Sequence, residues 1–418
     1  MSGRTLTVLL WAAWGALAAL RPALAQAVTN RADAVQAVCQ RLGIGAGAVV
    51  ADVGCGEGTD VMTFASVVGP GGTVLAEEID TAKLKTVLQA AAQRRLYQVV
   101  PVLGESQDPR LPDGFVDLIW MHRVFHHLVY PQAMLKRMWQ DLKQGGWLVI
   151  VDQQKGPPTD WPPMESREKK HQWTAETTVV RLAREAGFLF YDALDELWHE
   201  AQPFVLAFRK PPLPAQPAGD PDLPEPLDAP ALLRALPLDP PERSVALFVG
   251  LDHGRAVAPV LRQRLPSSIR LFDVVLQEWA VSSEELPPGS PIPGVELLRM
   301  QKGNLPLPSD LQVGLVLFVD AYHRLWDPVP LLRQLHQHML PAGRAVVLDR
   351  RGPKAEPRRL AGHRRRLASE VVTEDMRQAG FALRQTLAPP SPDRYLLVFE
   401  PKALAEEAKP RAEEELKR

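Results

Sequence analysis

On either side of a proline-rich segment, short apolar runs alternate with longer amphipathic stretches. In the first half the apolar runs fall at about 48–53, 73–77, 98–103, 116–121 and 147–152. Runs this uniformly apolar suit parallel strands buried on both faces. Their alternation with helix-length segments predicts a doubly wound α/β sheet with right-handed crossovers. Gly187-Phe188-Leu189-Phe190 and Phe204-Val205-Leu206-Ala207-Phe208 have no helix-length segment between them. They are therefore expected to pair antiparallel and to close the sheet.

The second half repeats the first. Val49-Val50-Ala51-Asp52-Val53-Gly54 is echoed by Val245-Ala246-Leu247-Phe248-Val249-Gly250, a shift of 196. His126, Leu128, Pro131 and Leu135 match His323, Leu325, Pro328 and Leu332 at 197, and Asp152 matches Asp349 at the same shift. Gly187-Phe188 matches Gly380-Phe381 at 193. A nearly constant offset over so long a stretch marks two copies of one fold. The expected architecture is α/β: two tandem doubly wound folds, each a mainly parallel sheet closed by an antiparallel strand.

A length of 418 residues accommodates two such units. From Pro211 to Pro241 there are 11 prolines in 31 residues. Proline fixes φ and lacks an amide donor, so this segment reads as an extended spacer without helix or sheet interior. The expected domains are 30–211 and 243–402, joined by a linker at 212–242 and followed by a charged tail at 403–418. At the N-terminus, Arg4 precedes the apolar run Leu6 to Leu20 and then Ala23-Leu24-Ala25. That pattern predicts a secretory signal peptide at 1–25, and hence an exported protein, periplasmic or secreted. The run is short for a membrane span, so none is expected after cleavage; an uncleaved N-terminus would instead anchor the chain. The net charge of -1 gives no field for nucleic acid. Cys39 and Cys55 allow one bridge at most.

Candidate chemistry gathers at the ends of the first unit's strands. Asp52-Val53-Gly54-Cys55-Gly56-Glu57-Gly58-Thr59 follows the first strand and opens a helix. Glycines there allow a tight turn and let a ligand reach bare main chain at a helix N-terminus. Glu78, at the tip of the second strand and followed by Ile79, can accept both ribose hydroxyls of an adenosine ligand, or merely cap the next helix. Asp80 is the expected N-cap of that helix. Gly104-Glu105-Ser106 follows the third strand, where a carboxylate or hydroxyl can meet an adenine amine; a plain turn is the alternative.

These residues resemble the class I S-adenosylmethionine (SAM)-dependent methyltransferase family over about residues 30–211. The acid–x–G–x–G–x–G motif is met by Asp52, Gly54, Gly56 and Gly58, the second-strand acid by Glu78 and the third-strand acid by Glu105. Phe115 to Met121, running into Val124-Phe125-His126-His127-Leu128, resembles the family's fourth-strand segment. Nicotinamide dehydrogenases instead show G-x-G-x-x-G. The resemblance implies a Rossmann-like fold with SAM as cofactor. Its cradle is then Asp52, Gly54, Gly56, Gly58, Thr59, Glu78, Ile79, Glu105 and Ser106, with Met121 and His122 bordering it.

Methyl transfer asks mainly for alignment and, for an oxygen or nitrogen nucleophile, removal of a proton. His126 or His127, just past the fourth strand, is the expected base, the alternative being a hydrogen-bonded histidine that packs the loop. No carboxylate stands at metal-site spacing from them, so no metal is expected. The segment Pro157 to Trp173 is expected to roof the site.

In the second copy Phe248 stands where the first has Asp52, and Asp252 replaces the middle glycine. Asp273 is the remaining candidate for the ribose acid. This copy is expected to have lost the cofactor and to serve as a scaffold, a substrate platform, or a protein-partner or dimerisation surface. Arg358, Arg359, Arg364, Arg365 and Arg366 are expected either to attract an anionic partner or to form a solvated face. The expected function is methylation of a small molecule by the first unit alone. The alternative is an exported, non-catalytic binding or assembly protein that keeps the fold.

Overall fold

The computed structural model describes residues 29–153, 174–200, 203–212, 222, 225–236, 238–276, 291–300 and 305–402. The leader at 1–25, the segment Pro157 to Trp173 and the tail at 403–418 lie outside the described residues.

The first unit runs α1 (Arg31–Leu42), β1 (Val49–Val53), α2 (Thr59–Val68), β2 (Thr73–Glu78), α3 (Thr81–Gln93), β3 (Val99–Leu103), β4 (Val116–His122), α4 (Pro131–Asp141), β5 (Leu142–Gln153), α5 (Glu176–Glu185), β6 (Leu189–Ala193) and β7 (Pro203–Arg209). Its seven strands lie in the order β3-β2-β1-β4-β5-β7-β6. β7 is antiparallel to both β5 and β6, as the missing helix between the last two strands predicts. Alternate residues of β1 feed opposite faces: Val50 packs under α1 and α2, while Ala51 and Val53 join the core with Leu135 and Val179. Each face of the sheet thus has its own apolar core, which is why the strands are apolar throughout. Asp80 caps α3 by accepting the Ala82 amide at 2.8 Å, as expected.

The second unit comprises α6 (Ala229–Ala235), β8 (Val245–Gly250), α7 (Val257–Arg264), β9 (Arg270–Val275), β10 (Glu296–Arg299), β11 (Val313–Val319), α8 (Pro328–His338), β12 (Met339–Arg350), α9 (Arg358–His363), α10 (Ser369–Gln378), β13 (Phe381–Leu387) and β14 (Arg394–Pro401). Its strand order, β10-β9-β8-β11-β12-β14-β13, is that of the first sheet element for element. Two doubly wound sheets stand in tandem.

One expectation fails inside the proline-rich segment, where α6 forms. Asp228 caps it by accepting the Ala231 amide at 2.9 Å, and Pro230 sits in its first turn, where an amide would have no helical partner anyway. Leu232, Leu233 and Leu236 are buried in the second unit's core. α6 precedes β8 as α1 precedes β1, so the second fold begins well before residue 243.

The arginine cluster also finds a definite place. Arg359 donates to Glu176 at 2.6–3.0 Å and pairs with Asp195, while His363 Nε2 lies 2.8 Å from Glu176. Arg364 donates to the Tyr191 carbonyl at 2.7 Å, and from the other side Arg184 donates to the His363 carbonyl at 2.5 Å. Leu360 packs against the first unit's core. Arg358 and Arg366 instead stay within their own unit, on Asp375 and Glu356. The cluster therefore divides: Arg359 and Arg364 reach the chain's own first unit, and Arg358 and Arg366 pair within the second. Burial pushes the Glu176 carboxyl up, but hydrogen bonds from His363 and Arg359 prevail and hold it at about 2.

Candidate cofactor site

The site lies where β1 and β4, neighbours at the centre of the sheet, end and their chains leave in opposite directions, the usual position for ligands in this architecture. The β1–α2 bend carries three glycines with positive φ: Gly54 at 70°, Gly56 at 55° and Gly58 at 80°. They answer different needs. A Cβ on Gly54 would strike Val124 Cγ2 at 2.6 Å, and one on Gly58 would meet Val87 Cγ2 at 2.9 Å. A Cβ on Gly56 would meet nothing within 4 Å. Gly56 therefore presents bare main chain to open space.

Glu78 ends β2 and is buried, yet its carboxylate reaches that bend. Oε2 accepts the Gly56 amide at 3.1 Å and lies 3.4 Å from Lys83 Nζ. Oε1 accepts the amides of Ile79 and Asp80 at 2.9 and 3.2 Å. The cap and the bend contact thus belong to one side chain. Beside it Ile79 stands 62 % exposed, an apolar surface suited to cover one face of a flat ligand.

Glu77, the residue before Glu78, is also part of the bend. Oε2 accepts the Gly54 amide at 2.9 Å, and a Cβ on Gly104 would strike Oε1 at 1.7 Å, so any side chain there would have to displace the Glu77 carboxyl. Burial pushes the Glu77 carboxyl up to about 8; the Gly54 amide opposes this and neighbouring Glu78 adds to it. Asp52, buried behind the bend, is raised well above its ordinary value by burial and by Asp60. Glu105 and Ser106 are exposed on the third loop, where Glu105 pairs with Arg110. Thr59, exposed, opens α2.

Met121 and His122 end β4. Met121 is fully buried, whereas His122 belongs to a polar network that local sequence does not reveal. Its Nδ1 lies 3.1 Å from Asp60 Oδ2, which also accepts the Trp120 indole N–H at 3.0 Å. Arg31 grips Asp60 with two bonds of 2.6 and 2.7 Å. Burial pushes the Asp60 carboxyl up, but the hydrogen bonds from His122 and Arg31 outweigh it and hold the group at about 2. Burial lowers His122, and Asp60 offsets that only in part.

His126 is fastened otherwise. Its Nδ1 lies 2.8 Å from Asp152 Oδ1, and its backbone amide donates to Oδ2 of the same carboxylate at 3.1 Å. His323 and Asp349 of the second unit repeat the pair, with ring and amide contacts of 2.8 and 2.9 Å. His127 is exposed, its ring centroid 4.0 Å from that of His126.

The second unit's bend is filled from within. A Cβ on Gly250 would strike Phe248 Cζ at 2.2 Å, and one on Gly254 the Val319 carbonyl oxygen at 2.3 Å. Arg255 is buried and donates to both oxygens of Asp273 at 3.3 and 2.7 Å. Register also corrects the expectation for Asp273. Asp52 lies opposite Ala76, and Phe248 lies opposite Asp273. Asp273 therefore takes the place of Ala76, two residues short of the tip, and Val275 takes that of Glu78. The side chain of Asp252 lies outside the described residues. Cys39 and Cys55 are both free and buried. Among the described residues no helix is long and apolar enough to cross a membrane, and no His, Cys, Asp and Glu side chains group to hold a metal.

Residues 51–150 match the family model of a methyltransferase domain. The first unit is a methyltransferase domain of the class I α/β fold, and its cofactor is S-adenosylmethionine. The residues present fit that group: open main chain at Gly56, an acid at Glu78 and an exposed apolar side chain at Ile79. Among individual proteins, the chain is 32 % identical over 148 residues to the "Uncharacterized 37.1 kDa protein in transposon TN4556" of Streptomyces fradiae, covering 33 % of this chain and 42 % of that protein. It is 40 % identical over 68 residues to nocamycin O-methyltransferase of Saccharothrix syringae, covering 16 % of this chain and 24 % of that enzyme. The matches thus span less than half the length of these relatives. Among solved structures, a SAM-dependent methyltransferase from Aquifex aeolicus aligns with a TM-score of 0.36 at 24 % identity, covering 42 % of this chain and 88 % of its own. A putative sarcosine dimethylglycine methyltransferase from Galdieria sulphuraria aligns with a TM-score of 0.37 at 18 % identity, covering 43 % and 85 %.

Proposed function

We propose that the first unit transfers the methyl group of SAM to a small-molecule acceptor, and that the second unit binds no cofactor and serves as its support. The observation that carries this reading is the open main chain at Gly56 bonded to the Glu78 carboxylate. Bound there, the cofactor supplies an already activated methyl group. Glu78 offers oxygens to its ribose, Ile79 covers its base beside Glu105 and Ser106, and Asp52, Gly54, Gly58 and Thr59 shape the bend that receives its amino-acid end. Met121 and His122 border it from β4. The His126–Asp152 pair ties the β4–α4 loop to β5. Because the second unit keeps that pair but not the open bend, it reads as a fastener, which moves the base assignment away from His126.

For the second unit, Phe248 under Gly250, Arg255 on Asp273 and Val275 in the place of Glu78 all speak against a cofactor site. The leader pattern from Arg4 to Ala25 supports export, which favours one competing reading. SAM is made in the cytoplasm, so an exported protein with this fold and no supply of donor would act by binding or assembly. Titration calorimetry of the full chain with SAM tests the main reading: one site per chain is expected, and no binding would end it in favour of the competing one. A mature chain beginning at Gln26 by mass spectrometry is the outcome expected of export.

A further inference from the structure

His122 differs from His126 in what its nitrogens do. Asp60, held ionised by Arg31, accepts at Nδ1, so the proton of the neutral ring sits there and Nε2 is left as a lone-pair acceptor. Nε2 is buried and without a hydrogen-bond partner. The His122 and Trp198 rings cross at 79° with centroids 5.0 Å apart, and the Trp198 indole N–H is likewise buried and unpartnered. Native folds rarely leave a buried acceptor and a buried donor on neighbouring rings both unused. A hydroxyl can donate its proton to Nε2 and accept from an indole N–H.

The location is beside the proposed cofactor bend. His122 is the last residue of β4, two places beyond Trp120, which lies opposite Asp52; the Gly54 bend is two places beyond Asp52 on the adjacent strand. The second copy provides a control. Val319, opposite Gly250, takes the place of His122, and Leu317, opposite Phe248, takes that of Trp120. Ala256, six residues past Gly250, stands where Asp60 stands six past Gly54. The network is present where the bend is open and gone where the bend is filled.

We propose that His122 is the base that takes the proton of a hydroxyl-bearing methyl acceptor, with the Trp198 N–H on the acceptor oxygen and with Asp60 and Arg31 as positioning residues. This rests on the methyltransferase reading of the first unit. The acceptor O–H proton moves to Nε2 as an oxygen lone pair forms the new O–C bond. The donor's S–C bond breaks with its electron pair kept on sulfur, and Asp60 holds the resulting imidazolium.

Two measurements on the full chain decide it. Nitrogen-15 NMR of labelled histidines, with His122 assigned by the signal lost in His122→Gln, is expected to show the neutral ring protonated at Nδ1; a proton on Nε2 overturns the proposal whether or not SAM binds. Second, a panel of phenols, alcohols, thiols and amines is incubated with SAM and the products are read by mass spectrometry. O-methylation is expected, reduced 100-fold or more in His122→Gln when both proteins are assayed at saturating SAM. Undiminished transfer in that variant, or transfer to nitrogen, sulfur or nothing in the panel, overturns it. Asp60→Asn is expected to shift the acid limb of the pH–rate profile, which a purely structural role would not do. If His122→Gln does not fold, Trp198→Phe, which removes the indole N–H together with the ring that carries it, is expected to raise KM more than it lowers kcat.

Discussion

The carboxylate of Glu78 accepts the amide of Gly56 at 3.1 Å, so the acid at the tip of β2 and the middle glycine of the β1–α2 bend form one structural unit. A ligand that meets one therefore meets the other. Gly56→Asp places a side chain and a charge in open space, and its φ of 55° is one that aspartate tolerates better than most residues. Folding should lose about 1 kcal/mol. SAM affinity should fall on the order of 100-fold, ~2.7 kcal/mol. Urea denaturation and calorimetry on the same preparation check the two effects; unchanged affinity would place the cofactor elsewhere.

Glu77 predicts a pH dependence. Its carboxyl is raised from the ordinary 4.5 to about 8, chiefly by burial. Between those values the folded chain keeps a proton that the unfolded chain has released, so this group removes stability as pH rises through the window. Glu77→Gln keeps an oxygen for the Gly54 amide and abolishes the titration. The variant should unfold at higher urea than the parent at pH 8.5 and show little advantage at pH 4.5. An equal difference at both values would refute the assignment.

Between the two units, Glu176 meets Arg359 and His363 at 2.6–3.0 Å. Removing one partner strands the others, and since Arg359 is partly exposed the cost of Arg359→Ala should be about 2–3 kcal/mol. A double-mutant cycle with Glu176→Gln should give a coupling of roughly 1–3 kcal/mol. The glutamate is held at about 2, below its ordinary 4.5, so its contribution is present above pH 4.5 and is lost as pH falls through 2. Strict additivity in the cycle would show that the contact holds nothing together.

Arg255 and Asp273 form a buried pair at the mouth of the second sheet. Arg255→Ala should destabilise the chain by about 3–5 kcal/mol because the aspartate is left buried and unpaired. It should not create a second SAM site, since Phe248 still lies under Gly250 and Val275 still holds the place of an acid. Calorimetric stoichiometry is the readout, and a second site per chain would count against the reading.

Much of this was legible in the residues. The apolar runs placed strands β1, β2, β3, β4 and β5, the missing helix before Phe204 foretold the antiparallel closure, and the constant offset revealed the second copy. The bend and Glu78 were found because their signal is local: glycines and an acid at the ends of adjacent strands. The helix Ala229–Ala235 was hidden by proline count, although Asp228, Pro230 and the leucines that follow spell a capped first turn. Strand alternation alone would send Glu77 away from Glu78, yet at the strand's last residues both carboxylates turn to the bend.

By itself, then, the sequence determined two α/β units, the antiparallel closure of the first sheet and the glycine bend after its first strand, because all of these follow from periodicity and from what glycine and a missing helix do to nearby backbone. Tertiary structure alone decided the rest. Arg31 meets Asp60 across 29 residues, His122 meets Asp60 across 62, and Arg359 meets Glu176 across 183. Such pairs leave no periodic trace, since each partner alone looks like an ordinary surface charge or core histidine. Only the packed sheets fix which of them meet, and in which register Val275 comes to stand where an acid would be needed.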